Sequence, residues 1–254
     1  MTKSTRRRLT GFGLEPGSLL AGKYEVVSFL GSGWESEVYR VRERGTRVER
    51  AAKVFFPQHN RGNRAVKFYA RKLHKLRHCP ILIQYHTQER IQFEGVPITF
   101  LVSDYIEGAR LSSFLKEQRG KRLTPFEGLH LLHVLAAGVE IIHRAREYHG
   151  DIHDDNVIVN RRGLTFDVKL VDFYDWGAPS AENIREDVYD LIRLLYDALG
   201  GRAHYAKQPK VIKSICCGLK RSLIAKKFKT AGHLRRHLET MAWDDHQRRK
   251  RGGW

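Results

Sequence analysis

Two different patterns of hydrophobic and polar positions divide the chain. In roughly the first hundred residues, short apolar or alternating runs are separated by glycine-containing turns, which is typical of antiparallel strands. One longer stretch, residues 61–77, repeats its apolar positions every three or four residues and predicts an amphipathic helix. The predicted strands cover residues 20–31, 37–41, 50–56, 81–92 and 98–106.

The later part of the chain is predicted to be mainly helical. Thr124 is a candidate N-cap, Pro125 takes the first helical position and Glu127 closes a capping box. A second long helix is predicted over residues 182–199, where Gly200 and Gly201 end it. Two further helices are predicted within residues 209–241.

These patterns predict an α+β fold, organised as one large domain or as two lobes. An antiparallel sheet with one helix comes first, over residues 18–106, and a mainly helical part follows, over residues 107–243. Runs of basic residues without apolar periodicity predict flexible basic tails at residues 1–17 and 244–254.

The charge balance adds an expectation about partners. Lysine and arginine number 46 against 28 aspartates and glutamates, a net charge of +18. A balance this basic favours an acidic protein or a nucleic acid as a partner, at the basic helix 61–77 and at the two tails. The alternative interpretation is a solvated, self-repelling surface.

Cysteine usage and apolar run length indicate a compartment. Cys79, Cys216 and Cys217 fit neither a disulfide framework nor a zinc site. No uninterrupted apolar run approaches the roughly 20 residues that cross a bilayer, and the first residues lack the apolar segment of a signal peptide. We therefore expect a cytoplasmic protein with reduced thiols and no membrane span.

The stretch from residue 148 to residue 177 carries the candidate chemistry. It contains His149-Gly150-Asp151, then Asn156, then Asp172 in the order Asp-Phe-Tyr. Two apolar runs joined by a turn at residues 160–163 predict a hairpin that brings Asn156 and Asp172 to the same end. An aspartate can accept a hydroxyl proton, and an asparagine with a second aspartate can hold magnesium under the phosphates of a nucleotide.

Several motifs in order resemble the protein-kinase-like superfamily. They are G-x-G-x-x-S-x-V from Gly31, A-A-K ending at Lys53, S-D-Y-I-E-G from Ser103, H-G-D-x-H-x-x-N from His149, D-F-Y from Asp172 and D-V-Y from Asp187. The resemblance covers roughly residues 20–241. It is similar to a minimal bacterial Ser/Thr kinase with an H-G-D catalytic loop and a truncated activation segment, and it implies a bilobal fold.

The resemblance implies ATP with Mg²⁺ or Mn²⁺ as cofactors and assigns the site residues. Asp151 would act as the base, Lys53 would position phosphates, and His153 would donate a hydrogen bond near the γ-phosphate. Asn156 and Asp172 would hold the metal ions, and His149 and Asp187 would brace the loop. The residues implied for nucleotide binding are Gly31, Ser32, Gly33, Val38, Ala51, Lys53, Ser103, Asp104, Ile106 and Asn156.

Three departures from the family pattern qualify this assignment. No Asp or Glu occurs from Asn60 to Pro80, and the family alignment places Tyr69 where a glutamate should pair with Lys53. Lys53 is therefore expected to pair with Asp172 or another carboxylate, or to be held only when nucleotide is bound. Gly150 replaces an arginine that would receive an activation-loop phosphate, and only 15 positions separate Asp172 from Asp187, without an A-P-E motif.

Three functions follow from this sequence. The first is an ATP- and Mg²⁺-dependent kinase of protein Ser/Thr, including itself. The second is a kinase of a small molecule or an RNA-associated target, which the short segment after Asp172 favours. The third is a nucleotide-binding pseudokinase that acts as a regulatory module, which the missing helix glutamate favours.

Overall fold

The computed structural model describes residues 8–163 and 165–242. The chain forms two compact units, residues 1–107 and 108–254. Within the described residues, the first unit is an antiparallel sheet with one α-helix, and the second is mainly helical with a small sheet.

The first unit is built on a six-stranded antiparallel sheet. Glycine-containing turns close its hairpins, as the sequence pattern predicts. The strand order is β1-β2-β3-β4-β6-β5. The strands are β1 (Leu19–Leu20), β2 (Tyr24–Ser32), β3 (Ser36–Glu43), β4 (Glu49–Phe55), β5 (Tyr85–Phe93) and β6 (Val96–Asp104).

The two faces of this sheet have different compositions. Directly paired residues in antiparallel strands point to the same face, and Val38 pairs with Lys53 while Ala51 pairs with Ser103. These four side chains therefore share one face. Alternate residues such as Tyr39 point the other way, into a fully buried apolar cluster.

The amino-terminal segment covers that apolar face, so the prediction of a flexible tail over residues 1–17 is wrong for the described part, residues 8–17. Leu9 and Phe12 are buried in the core of the first unit. The Phe12 ring lies 5.2 Å from Phe56, and the Phe12 N–H donates to Glu37 Oε2 at 2.9 Å. Two apolar side chains without periodicity predict neither a strand nor a helix. They nevertheless bury the apolar face of the sheet, which has to pack against another part of the chain.

One helix packs on the other side of the strands. A 3₁₀ turn (Arg61–Asn63) leads into α1 (Arg64–Lys75), which contacts β5 and β6. Its apolar stripe buries Val66, Tyr69 and Leu73, at the spacing of one helix face. The opposite face exposes basic side chains, among them Arg64, Lys67, Arg71 and Lys75.

The second unit combines a three-stranded sheet with helices. Its strands, in spatial order, are β7 (Ala109–Arg110), β8 (Val157–Arg162) and β9 (Thr165–Leu170). Its helices are α2 (Leu111–Glu117), α3 (Pro125–Arg144), α4 (Ala181–Ala198), α5 (Gly201–Tyr205), α6 (Lys210–Cys216), α7 (Arg221–Lys227) and α8 (Ala231–Thr240).

Helix α3 forms the centre of the second unit. The predicted capping box is confirmed, since Thr124 Oγ1 accepts from the Glu127 N–H and Glu127 Oε2 accepts from the Thr124 N–H at 2.9 Å. Among the described residues, α3 is also the one helix long and apolar enough to cross a bilayer, and 56% of that apolar window is buried inside the protein. Its contacts with α4 and α8 account for its apolar surface.

The last part of the unit differs from the prediction of two helices within residues 209–241. Three α-helices occur there, α6, α7 and α8. Left-handed backbone at Cys217, Gly218 and Leu219 separates the first two, and Thr230 caps the start of the third. The predicted tail at residues 244–254 lies outside the described residues.

Candidate active site

The predicted glycine turn is the hairpin between β2 and β3. Ser32 pairs with Glu37, and the Gly33 N–H donates to the Ser36 carbonyl at 2.9 Å, which closes the turn. Trp34 at its tip is 62% exposed. The turn thus presents small residues and an indole at its end, next to the strand pair that carries Val38.

Lys53 on β4 has a carboxylate partner in the turn before β3, Glu35, which the sequence analysis did not assign. Its Nζ lies 2.9 Å from Glu35 Oε1, and the two side chains are only 15% and 13% exposed. The Tyr69 hydroxyl donates to the same Glu35 oxygen at 2.7 Å, and Lys53 Nζ lies 3.9 Å from the centre of the Tyr69 ring. Tyr69 therefore stands beside Lys53, at the helix position where the family pattern has a glutamate.

The signal for Glu35 was present in the sequence. Glu35 is the one charged residue in the turn from Gly31 to Ser36. An acidic side chain in a turn expected to approach phosphates is electrostatically unfavourable unless a cation neutralises it. The family pattern points to the helix for the partner of Lys53, and a turn position has no periodicity that relates it to a neighbouring strand.

The predicted hinge follows β6. Ser103 is buried and pairs with Ala51, and Ile106 is partly buried. The Asp104 N–H donates to the Gln84 carbonyl at 3.0 Å. Its carboxylate lies 2.6 Å from His86 Nε2 and 3.3 Å from an Arg50 nitrogen. The backbone N–H of Asp104 is thus already used, so its carbonyl oxygen is the group to consider for adenine.

In the second unit, Asp151 and Asn156 are joined directly. The Asn156 amide nitrogen donates to the Asp151 carbonyl at 2.9 Å and to Asp151 Oδ2 at 3.0 Å. Since the nitrogen end of the amide makes both bonds, its oxygen end is oriented away from Asp151. The loop therefore holds one carboxylate and one amide oxygen in fixed relation.

His153 forms an ion pair with the same carboxylate. His153 Nε2 lies 3.5 Å from Asp151 Oδ2. The hydrogen bond to Asp151 raises the pKa of His153 above its ordinary value of 6.5. The same bond is the largest cause that lowers the pKa of Asp151 below 3.8. Asp151 is therefore ionised at neutral pH, as a proton acceptor must be.

The predicted hairpin brings Asn156 and Asp172 to one end. Asn156 precedes β8, Asp172 follows β9, and the Val171 N–H donates to the Asn156 carbonyl at 3.0 Å. Asp172 has a φ of 60°, the left-handed region that L-residues seldom occupy and that clusters at functional sites. The next residue, Phe173, is buried with its ring 4.8 Å from that of His149.

Asp187 braces the catalytic loop from α4. Its fully buried carboxylate accepts from the His149 N–H at 2.7 Å and from the Gly150 N–H at 2.8 Å. His143 Nε2 lies 3.1 Å from the same group. The role expected for Asp187 fits these contacts, since two loop amides have one rigid acceptor.

The short segment after Asp172 packs onto the same loop. The Trp176 indole donates to the Gly150 carbonyl at 2.9 Å, and the Trp176 N–H donates to the Tyr148 hydroxyl at 2.8 Å. Gly150 has a φ of 87°, and a Cβ there would lie 2.9 Å from the Tyr148 ring and 3.0 Å from the Tyr174 carbonyl. The space beside Gly150 is thus filled, which explains why a glycine occurs where the family has an arginine.

The donor set at the end of the hairpin suits a hard divalent cation. Mg²⁺ prefers oxygen ligands, and the Asn156 amide oxygen and the Asp172 carboxylate supply two. His153, Asp154 and Asp155 also bring ligand atoms within 4.8 Å of one another. That group is less suitable, because His153 bonds to Asp151 and Asp155 accepts a hydrogen bond from Ser112.

Comparisons with known proteins identify the family to which the chain belongs. The family model for the protein kinase domain matches residues 24–184, more than half of the chain. The chain therefore belongs to the protein kinase domain family. The predicted kinase-like fold is confirmed by the likeness to the kinase domain of Mycobacterium tuberculosis PknI, with a TM-score of 0.66 and 22% identity over 90% of this chain and 100% of that chain.

The similar curated proteins include several that are named as Ser/Thr kinases. "Probable serine/threonine-protein kinase SCO3848" of Streptomyces coelicolor is 31% identical over 160 residues, which cover 61% of this chain and 22% of that protein. Serine/threonine-protein kinase PksC of the same organism is 28% identical over 161 residues, which cover 61% and 28%. The chain thus spans less than half the length of these relatives.

Proposed function

We propose that this chain is an ATP- and Mg²⁺-dependent phosphotransferase that acts on Ser/Thr hydroxyl groups of proteins, including its own. The observation that carries the proposal is the catalytic loop, where Asn156 fixes Asp151 and Asp187 fixes the loop backbone. An ionised carboxylate, held by an amide whose oxygen is directed away from it, is the pair that phosphoryl transfer uses for the acceptor hydroxyl and the metal ion.

The proposed role of Asp151 follows from its ionisation. Its depressed pKa keeps the carboxylate able to accept a hydrogen bond from the acceptor hydroxyl and to orient it toward the phosphate. His153, whose pKa the hydrogen bond to Asp151 raises, would place a positive charge beside that carboxylate when it is protonated and donate to a phosphate oxygen. Most of the catalysis in such a reaction is positioning and charge stabilisation.

The proposed nucleotide contacts lie in the first unit. Lys53 would bind phosphate oxygens, the turn from Gly31 to Gly33 would cover them, and Val38 and Ala51 would contact the base from the sheet face that carries Lys53. Backbone groups at Asp104 and Ile106 would bind adenine, with Ser103 behind them. Asn156 and Asp172 would hold Mg²⁺, which neutralises charge on the phosphates when it is bound.

The short segment after Asp172 favours a second candidate, a kinase of a small molecule or an RNA-associated target. A peptide acceptor needs an extended platform, and between Asp172 and α4 the chain is short and packed by Trp176 onto its own loop. The pseudokinase alternative is weakened by Glu35, since the missing helix glutamate was its main support.

We also propose a cytoplasmic location and an acidic partner. Three cysteines, two of them adjacent in sequence, fit neither a disulfide framework nor a zinc site, which suits a reducing compartment. The exposed basic face of α1 is suited to an acidic protein or a nucleic acid.

Intact-mass analysis with ATP and Mg²⁺ or Mn²⁺ tests the main proposal. We expect mass increments of whole phosphates on the native protein and none on Asp151→Ala. ATP consumption without added mass, absent in Asp151→Ala, would support the second candidate and direct a screen of peptide and metabolite acceptors. ATP binding without consumption by either protein would favour the pseudokinase.

A further inference from the structure

The counter-ion of Lys53 comes from the glycine turn rather than from helix α1. We propose that Glu35 is the positioning residue for Lys53, and that the Tyr69 hydroxyl holds the Glu35 carboxylate in place. Compared with the family pattern, the carboxylate therefore lies in the turn instead of the helix, and a tyrosine occupies the helix position. This inference rests on the proposed function, because it deepens the role of Lys53 in nucleotide binding.

Three elements converge on the Glu35 carboxylate. Glu35 belongs to the turn between β2 and β3, Lys53 to β4 and Tyr69 to α1. The Phe56 N–H donates to the Glu35 carbonyl at 2.8 Å, so the backbone of the turn is fastened to the end of β4. One oxygen, Oε1, lies within 2.9 Å of both Lys53 Nζ and the Tyr69 hydroxyl. This arrangement leaves the carboxylate little freedom.

The low exposure of the pair makes its charge effective. Side chains exposed by only 15% and 13% are weakly screened by solvent and salt. A surface pair in the same unit, Lys23 with Glu89 at 2.6 Å, has a lysine that is 62% exposed. The first pair can fix the ammonium group, whereas the second is of the kind that contributes little.

Tyr69 supplies two contacts that a helix glutamate would not. Its hydroxyl donates to the carboxylate, and its ring face lies 3.9 Å from Lys53 Nζ, within the range of a cation–π interaction. No Asp or Glu occurs from Asn60 to Pro80, so α1 has no carboxylate of its own to offer. The helix therefore acts on Lys53 through an aromatic ring and a hydroxyl.

The consequence is a link between the turn and the lysine. The same turn is proposed to cover the phosphates, so any change in its position moves the carboxylate that sets Lys53. In the family pattern the position of the helix controls this pair. Here the turn controls it, and the helix supports it.

A relocation experiment tests this assignment. The variants are Glu35→Gln, Tyr69→Phe, Glu35→Ala and the double variant Glu35→Ala/Tyr69→Glu, which returns a carboxylate to the helix at about the distance of the present ring. Glu89→Gln is the matched control, since it removes a surface partner of a lysine in the same unit. The first readout is acylation of Lys53 by an amine-reactive reagent, quantified by peptide mass spectrometry against the exposed Lys67. The second is kcat and KM for ATP.

We expect Glu35→Gln to raise Lys53 acylation, because loss of the Glu35 charge weakens the ion pair that holds the ammonium group in place. It should lower kcat/KM for ATP by roughly tenfold to a hundredfold, as misplacement of a positioning group does. Tyr69→Phe should act in the same direction by a smaller factor, and Glu89→Gln should leave both readouts unchanged. The double variant should recover most of what Glu35→Ala loses, which a merely structural role could not produce.

Two results would overturn the inference. One is unchanged acylation of Lys53 in Glu35→Gln, and the other is an active native protein whose ATP kinetics do not respond to that change. If the native protein neither binds nor turns over ATP, the proposed function fails, and the acylation measurement still decides whether Glu35 positions Lys53. Equal melting temperatures of Glu35→Gln and the native protein exclude loss of folding as the cause.

Discussion

The two units of this protein treat departures from the kinase pattern in different ways. In the first unit, a missing helix glutamate is compensated by charge, since Glu35 from another element takes up the contact with Lys53. In the second, a shortened segment is held by packing and hydrogen bonds of Trp176, while Asp187 keeps the bracing role of the family pattern. The partner of a charged side chain can come from any neighbouring element whose side chain is long enough to contact it. A closely packed loop, in contrast, accepts few other side chains.

The largest change in the free energy of unfolding is expected in the second unit, at Asp187. Replacement with alanine leaves the buried N–H groups of His149 and Gly150 without their acceptor, at about 1–3 kcal/mol for each group. We expect the free energy of unfolding, measured by urea denaturation, to fall by roughly 3–5 kcal/mol, as when a buried charge network is broken. Asp197→Ala on the same helix removes an exposed carboxylate and should change it by less than about 0.5 kcal/mol. Equal effects of the two variants would show that Asp187 is not a brace.

The next largest effect is expected at Gly150. Comparing Gly150→Ala with Gly163→Ala separates the cost of close packing from the cost of backbone strain. Gly150→Ala places a Cβ 2.9 Å from the Tyr148 ring and 3.0 Å from a carbonyl oxygen, at a φ of 87°. Gly163→Ala has a φ of 61° with nothing within 4 Å of the added atom. We expect losses of unfolding free energy of about 2–4 kcal/mol and about 1 kcal/mol. Similar losses would mean that the space beside Gly150 adapts, and that the arginine of the family could be restored.

A smaller effect is expected in the first unit at Tyr69. Tyr69→Phe removes one hydrogen bond to a carboxylate and retains the ring over Lys53. Hydrogen bonds to charged groups contribute about 1.5–3 kcal/mol, and Lys53 continues to satisfy Glu35, so we expect a loss near the lower figure. Thermal unfolding of Tyr69→Phe beside the native protein measures it. A loss as large as that of Asp187→Ala would contradict the contrast between the two units.

The smallest expected effect is a change in pH dependence at His153. Because its pKa is raised above 6.5 and that of Asp151 is lowered below 3.8, the pair is fully formed between those ordinary values. As pH rises through the raised pKa, His153 loses its charge. We therefore expect kcat/KM to fall on the alkaline side of the pH profile. Both side chains are nearly half exposed, so the accompanying change in stability is small.

His153→Lys keeps a positive charge at this position to much higher pH. We expect the alkaline decrease to disappear in this variant. If it persists with the same midpoint, another group is responsible for the limb.

Local patterns allowed much of the second unit to be predicted from sequence. The capping box at Thr124, the hairpin that joins Asn156 to Asp172 and the helix that carries Asp187 each depend on residues close together in sequence. Such elements have a period or a cap that a sequence displays directly.

The features that escaped prediction depend on contacts between distant segments. Glu35 lies in a turn and contacts Lys53 on β4. It also contacts Tyr69 on α1, which is 34 positions away in the sequence. Phe12 lies in a segment without regular structure and is buried only because the sheet has an apolar face to cover. Trp176 is one of three aromatic residues in the short segment after Asp172, and its bond to Gly150 depends on the fold of the loop.

The rate of phosphate transfer in the native protein and in Asp151→Asn tests the central claim most directly, which is that these compensations preserve a working kinase site. The substitution keeps the size of the side chain and removes its charge. We predict Mg²⁺-dependent transfer by the native protein and a loss of roughly 10²–10⁴-fold in Asp151→Asn, the range typical of a positioned acid–base group. Equal rates in the two proteins, or no transfer by the native protein with any acceptor tested, would contradict the account.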